Sequence, residues 1–267
     1  MPFNLGIIGC GKMGYALLKG ITQESGAYNT IYICDTDDER MGLFTREFGA
    51  LATSHQQLIA NADVIILAVK PAQVKSVLAS TSDVWSNEKL LISIAAGIKI
   101  AAIEKELGKP VRVVRVMPNT PCLVGEGVIA IAGGHHASLA DLQLVQAMLE
   151  RVGISIILEE SYMDAVTAVS GSGPAYAFLI VEAMMDAAIN LGLSSDISRR
   201  LVLQTVKGSI TMLEKTGDHP AVLKAQVTSP GGTTIAGLRE LEAGGIREAF
   251  FAAMEKAWQR SMKLGTD

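Results

Sequence analysis

With 267 residues, 49% of them hydrophobic and 19% charged, the chain is long enough for one large domain or two ordinary ones around a well-buried core. A formal net charge of −4 offers no basic footprint for nucleic acid, so that class of partner is not expected. Residues 1–9 combine neither a basic region nor a long apolar stretch, and no uninterrupted apolar run approaches about 18 residues, so neither a signal peptide nor a membrane span is expected.

The first element reads as a strand over 4–8 that enters Gly9-Cys10-Gly11-Lys12-Met13-Gly14, followed by apolar residues at helical spacing from Tyr15 to Ile21. Strand, glycine turn and helix in this order form a dinucleotide fingerprint. Gly9 permits the tight turn, Gly11 lets a pyrophosphate reach the backbone, and Gly14 lets the helix pack close to the strand. A second strand over 30–34 ends in Asp35, about 20 residues past the last glycine, where an acid that accepts from a ribose hydroxyl is expected.

Further strands are predicted over 63–69, 90–95, 111–116, 128–132 and 154–158, with helices over Asp38–Phe48, Gln73–Ala79, Ile100–Leu107 and Leu139–Arg151 between them. This alternation is that of a doubly wound α/β sheet, which binds ligands at the carboxyl ends of its strands. Ala68-Val69-Lys70-Pro71 and Ala95-Ala96-Gly97 leave such strand ends and are candidate cofactor loops, although each can equally be plain connection, Lys70 in particular. Arg115 to Pro121 is expected to be held extended by two prolines, presenting the Asn119 amide and the Thr120 hydroxyl.

Three cysteines, Cys10, Cys34 and Cys122, are an odd number, and Cys10 lies inside the glycine turn, where a disulfide would obstruct a cofactor. The expectation is reduced thiols in a cytoplasmic protein. His135 and His136 adjoin without Cys, Asp or Glu at ligand spacing, and His55 and His219 are isolated, so no metal site is expected.

From Asp164 onward the pattern is helical, with breaks at Ser170-Gly171-Ser172-Gly173-Pro174, near Gly192, around Gly217-Asp218-His219-Pro220 and at Ser229-Pro230-Gly231-Gly232-Thr233-Thr234. Ala175 to Val181 is apolar on all sides, and a helix without a polar face needs protein around it. The short C-terminal part can hardly bury that helix alone, so packing against a second subunit is inferred; the central helix of a monomeric bundle is the alternative. In the last break Pro230 stops what precedes it and the glycines allow close approach. Thr233 or Thr234 then starts a helix whose N-terminal N–H groups can hold a carboxylate or phosphate, or are merely capped.

The glycine turn, Ala68-Val69-Lys70-Pro71, Val116-Met117-Pro118-Asn119-Thr120-Pro121, Ser170-Gly171-Ser172-Gly173-Pro174-Ala175-Tyr176 and Ser229-Pro230-Gly231-Gly232-Thr233-Thr234 together resemble the pyrroline-5-carboxylate reductases over nearly the whole chain. The resemblance implies an N-terminal Rossmann-type doubly wound domain, residues 1–158, and an all-α dimerisation and substrate domain, residues 159–267. Its implied reaction is the NADH- or NADPH-dependent reduction of 1-pyrroline-5-carboxylate to L-proline, the last step of proline biosynthesis, by a homodimer that sometimes forms rings of dimers. Cofactor residues would be Gly9, Cys10, Gly11, Lys12, Met13, Gly14, Asp35, His55, Ala68, Val69, Lys70, Pro71, Ala95, Ala96, Gly97 and Asn119. The substrate carboxylate would rest on the N–H groups of Gly231, Gly232 and Thr233 beside the Ser229 hydroxyl, with Thr234 near the ring nitrogen. Ser172 and Gly173 would complete the pocket wall or cap the helix that follows.

The chain departs from the family pattern after its second strand. Relatives often carry Thr, Asn, Ser or Arg there to accept a 2′-phosphate, whereas this chain has Asp35-Thr36-Asp37-Asp38-Glu39 with Arg40 as the one nearby cation, which favours NADH. His55 stands where relatives commonly have Asn. Two rival readings are a β-hydroxyacid dehydrogenase, disfavoured because Pro174 to Ile180 contains no lysine to act as base, and a non-catalytic dinucleotide or carboxylate sensor.

Overall fold

Eight strands, β1 (Phe3–Ile8), β2 (Tyr28–Cys34), β3 (Leu51–Ala52), β4 (Val64–Leu67), β5 (Leu90–Ser93), β6 (Arg112–Met117), β7 (Gly127–Gly133) and β8 (Gly153–Ile157), lie in one sheet in the order β3-β2-β1-β4-β5-β6-β7-β8. The structure, a computed structural model, describes residues 3–23 and 28–264; the ends of the expected domain spans, 1–2 and 265–267, lie outside the described residues. Neighbouring strands are parallel except β6 and β7, which run antiparallel. The chain divides into two units, residues 1–172 with 257–267, and residues 173–256.

Within the first unit, side-chain alternation explains why these apolar runs are strands. Leu5, Ile7, Val64 and Ile66 are buried on one face with Leu17 and Leu18 of α1 (Lys12–Ile21) and Phe44 of α2 (Asp38–Phe48). Ile8, Ile65 and Leu67 are buried on the other with Leu58 of α3 (His55–Asn61), Leu78 of α4 (Pro71–Ala79) and Ile103 of α5 (Ile100–Leu107). A parallel sheet covered on both faces therefore reads as unbroken apolar sequence rather than as alternation with polar residues. The order reverses between β1 and β4, where Ile8 pairs with Leu67, and that switch point opens a crevice at the carboxyl ends.

Helix termini follow local chemistry. Asp37 caps α2 by accepting from the N–H groups of Glu39 and Arg40, and α2 stops at Gly49 with φ of 65°. Ser138 and Asp141 form a reciprocal capping box at α6 (Leu139–Met148). Two elements escape the sequence pattern: β3, only two residues long, and α3, with two buried apolar residues in seven. The expected strand over 63–69 stops at Leu67, because Lys70 is already the N-cap of α4 and Pro71 its first residue. Beyond Met117, only Pro118 and Asn119 stay extended. Pro121 opens a 3₁₀ turn, Thr120–Val124, which corrects the expectation that both prolines hold the segment straight.

The expected break at Ser170–Pro174 is also corrected. After the short α7 (Met163–Val166) the chain forms a π-helical turn, Thr167–Gly171, and passes into α8 (Gly173–Asn190). Glycine at 171 suits this turn because a Cβ there would lie 2.9 Å from Met117 Cε. The resulting helical run Glu160–Asn190, 31 residues, is long and apolar enough by length and composition to cross a membrane, although Asp164, Glu182 and Asp186 interrupt its apolar residues.

The second unit contains α8, α9 (Ser195–Thr216), α10 (Pro220–Gln226), α11 (Thr233–Ala243) and most of α12 (Ile246–Leu264). Ser194 caps α9, which stops at Gly217 with φ of 68°. A further break at Gly244-Gly245, which the residue pattern does not announce, separates α11 from α12, with Gly245 at φ of 74°. No residue of α8 is buried within the single chain, and Phe178 is 67% exposed.

Candidate active site

At the end of β1 the chain turns at Gly9, whose φ of 104° is reached without strain by glycine. A Cβ there would lie 2.6 Å from Ala68 O, so the turn and the end of β4 pack backbone against backbone. Gly9 N–H donates to Cys34 O at 2.8 Å and Ala68 N–H donates to Ile8 O at 2.7 Å, which brings the ends of β1, β2 and β4 together. Gly14 is needed because its Cβ would come 2.6 Å from Gly9 O. Gly11 differs: nothing lies within 4 Å of where its Cβ would stand, it precedes α1 as an N-cap without side-chain capping, and the first turn of α1 carries no acid. An open cradle at the positive end of an uncapped helix fits a dinucleotide pyrophosphate.

Asp35 reaches this turn directly. Its Oδ2 accepts from Cys10 N–H at 2.5 Å and its Oδ1 from Asp37 N–H at 3.0 Å, so the carboxylate ties the glycine turn to the end of β2. Asp37 is engaged as the α2 cap and by Arg40 Nε at 3.0 Å. The Cys10 side chain is buried, and burial, with the neighbouring Asp35 charge, pushes its thiol up to about 12. Burial also raises Cys34 and Cys122, and all three thiols are free. His55, the first residue of α3, is held below its ordinary pKa by burial, with Asp35 pulling the other way.

Ala68–Pro71 and Ala95–Gly97 leave the adjacent strands β4 and β5 at the same sheet edge. The Lys70 side chain is exposed, and Lys12 and Met13 form the first residues of α1. Asn119 ties two segments of backbone together, since its Oδ1 accepts from Val128 N–H at 2.9 Å and its Nδ2 donates to Ser170 O at 3.0 Å. His135 N–H donates to Glu104, and among the described residues no group of three His, Cys, Asp or Glu could hold a metal.

The second unit carries the other candidate turn. α10 ends at Gln226, Gly231 has φ of 67°, and Gly232 is the N-cap of α11 with φ of −78°. No side chain caps α11 and its first turn has no acid, so an N-terminus is left for an anion. Gly232 N–H closes the turn on Ser229 O at 3.1 Å. The absent side chain of Gly232 leaves room for Ser229 Oγ, which lies 2.3 Å from where a Cβ would stand.

Sequence reasoning missed Glu160. Its Oε1 accepts from Ile100 N–H at 2.7 Å and from Arg115 Nη1 at 2.9 Å, capping α5 from a point 60 residues away. No local pattern signals such a cap.

Residues 160–264 match the family model for pyrroline-5-carboxylate reductase dimerisation, and residues 4–97 match that for coenzyme F420-dependent NADP oxidoreductases. The chain is 40% identical over 266 residues to a pyrroline-5-carboxylate reductase of Corynebacterium melassecola, covering 98% of each. It is similar to the structure of a pyrroline-5-carboxylate reductase from Coxiella burnetii, with TM-score 0.90, 36% identity and 99% of each chain covered. It is likewise similar to the Plasmodium falciparum pyrroline carboxylate reductase with NADP bound, with TM-score 0.88, 35% identity and 98% of each chain covered.

Proposed function

Because the chain belongs to the pyrroline-5-carboxylate reductase family, we infer that residues 1–158 bind the dinucleotide and residues 159–267 supply the substrate turn and the subunit contact. The protein is an NAD(P)H-dependent reductase that converts 1-pyrroline-5-carboxylate to L-proline, the last step of proline biosynthesis. The single observation that carries the division of roles is the open cradle at Gly11, next to which every other glycine of its turn is filled by protein.

A dinucleotide held there would supply the hydride that reduces the imine carbon, and the ring nitrogen, protonated by solvent, is left as the secondary amine of proline. The protein's contribution is position. Gly11 and the uncapped start of α1 receive the pyrophosphate, Asp35, Ala68–Pro71, Ala95–Gly97 and His55 shape the rest of the cofactor groove, and Asn119 braces its wall. The N–H groups of Gly231, Gly232 and Thr233, with the Ser229 hydroxyl beside them, receive the substrate carboxylate; Thr234 lies near the ring nitrogen. No strong acid is required of the side chains, so orientation accounts for the catalysis.

The apolar and exposed α8 supports a homodimer, and the dimerisation match over 160–264 supports self-association of that segment rather than insertion in a membrane. The three free thiols support a cytoplasmic location. The carboxylates of Asp35, Asp37, Asp38 and Glu39 support a preference for NADH, since Arg40 is already paired with Asp37. The test is oxidation of each cofactor in the presence of 1-pyrroline-5-carboxylate. We expect kcat/KM with NADH to equal or exceed that with NADPH; a tenfold advantage for NADPH, about 1.4 kcal/mol, overturns the preference, and no turnover with either overturns the reaction.

A further inference from the structure

α5 begins without a cap of its own: its N-cap, Lys99, makes no side-chain hydrogen bond, and its first turn has no acid. Glu160 supplies the missing acceptor to Ile100 N–H, in a charge-assisted bond at 2.7 Å. Arg115 holds Glu160 from the other side at 2.9 Å and is itself only 3% exposed. Arg115 Nη2 is buried without a partner, so the Glu160 carboxylate is the charge that makes Arg115 tolerable there.

The residues before α5 give this cap a second role. Arg115 pairs with Ser93 across β5 and β6, and the loop Ala95–Gly97 lies between Ser93 and α5. That loop is pinned at its front by β5 and turns at Gly97 with φ of 77°. At its rear the first residue of α5 is held by Glu160.

We propose that Arg115 and Glu160 are positioning residues for the dinucleotide: Glu160 fixes the start of α5, and thereby the height of the Ala95–Gly97 loop at the sheet edge, while Arg115 fixes Glu160. This rests on the reading that the carboxyl edge of β1, β4 and β5 holds the cofactor. Loss of the cap lets the loop rise and fall, so the cofactor is bound less well while the substrate turn in the other unit keeps its own geometry.

The test is steady-state kinetics of Glu160→Ala and Glu160→Gln in the full-length protein, with thermal unfolding alongside. Glu160→Ala is expected to raise KM for NADH roughly fivefold or more while KM for 1-pyrroline-5-carboxylate stays within about twofold. Glu160→Gln should restore most of the loss, because its amide oxygen still accepts from Ile100 N–H. A Glu160→Ala protein with lowered Tm but unchanged KM for NADH overturns the proposal, since a purely structural brace behaves in that way. Should Glu160→Ala not fold, Glu160→Asp takes its place: it keeps the charge beside Arg115 and withdraws it from Ile100, and an unchanged KM for NADH again overturns the proposal. Gly11→Val separates the two ways of failing. If it destroys NADH binding while the Glu160 variants do not alter it, the positioning role fails alone; if it leaves NADH binding intact, the cofactor reading fails and takes the positioning role with it.

Discussion

A Cβ placed on Gly9 would come within 2.6 Å of Ala68 O, whereas one placed on Gly231 would meet nothing within 4 Å. Both glycines have positive φ, and both begin a turn that leads into an uncapped helix. The first turn is fixed from outside, by β4 packing and by the Asp35 carboxylate on Cys10 N–H. The second is fixed from inside, by one hydrogen bond from Gly232 to Ser229 O. A site held by a sheet is in place before its ligand arrives. A site held by its own backbone keeps its shape only as long as its torsions allow, and its substitutions act through conformation rather than collision.

The largest effect that tests this contrast is at Gly9. Gly9→Val combines a forbidden φ with a backbone collision, and a loss of about 3 kcal/mol or more in unfolding free energy is expected, measured by chemical denaturation. Gly11→Val should leave Tm within a few degrees yet abolish measurable NADH binding by fluorescence titration, because its side chain enters open space that only the ligand fills. Equal destabilisation by the two would show that the turn is a packing device with no cradle in it.

At the other turn the order of severity should invert what collision alone suggests. Gly231→Val, with nothing to strike, places a β-branched residue at φ of 67° and should cost about 1–2 kcal/mol of stability. Gly232→Val sits at φ of −78°, which valine accepts; it displaces the Ser229 hydroxyl and presses on Ser229 O at 3.3 Å. It should fold normally and lose kcat/KM for 1-pyrroline-5-carboxylate. Thr234→Ala is milder, a roughly tenfold fall in kcat/KM at unchanged NADH affinity, the worth of one charge-assisted hydrogen bond. Near-normal kinetics in both would reduce the turn to a helix start.

The smallest expected effect is a pH dependence. The folded His55 lies below its ordinary value of 6.5, so the unfolded chain binds its proton first as pH falls. The stability that neutral His55 contributes is complete above 6.5 and declines as pH drops through 6.5 toward the folded value. His55→Gln should flatten that part of the stability curve; an unchanged curve would mean that burial at α3 leaves the imidazole unperturbed.

The same contrast explains what could be read from the residues in order. Gly9–Gly14, α2 and α5 carry their signals within a dozen residues, and their spans follow the expected ones closely. β3 and α3 are too short to show a period, and the π turn at Thr167–Gly171 hides behind glycine and serine that ordinarily punctuate. That Gly231 rather than Gly232 takes the left-handed torsion, and that Gly232 commits its N–H to Ser229, are outcomes of three-dimensional closure that two adjacent glycines do not announce. Glu160 is the furthest from legibility, since its partners are set by where β6 and α5 meet.

Cys10 lies inside the glycine turn between Gly9 and Gly11, with a buried thiol whose pKa is pushed up to about 12. A thiol so raised stays protonated at neutral pH, and the thiolate is the form that peroxides and alkylating reagents attack. Burial of the side chain, together with the Asp35 carboxylate that fastens the turn, thus also passivates it. Treatment with hydrogen peroxide or iodoacetamide should leave this sulfur untouched for as long as the turn stays folded, so the cofactor cradle keeps its chemistry through oxidative episodes that would inactivate a reductase with an ordinary cysteine at that position.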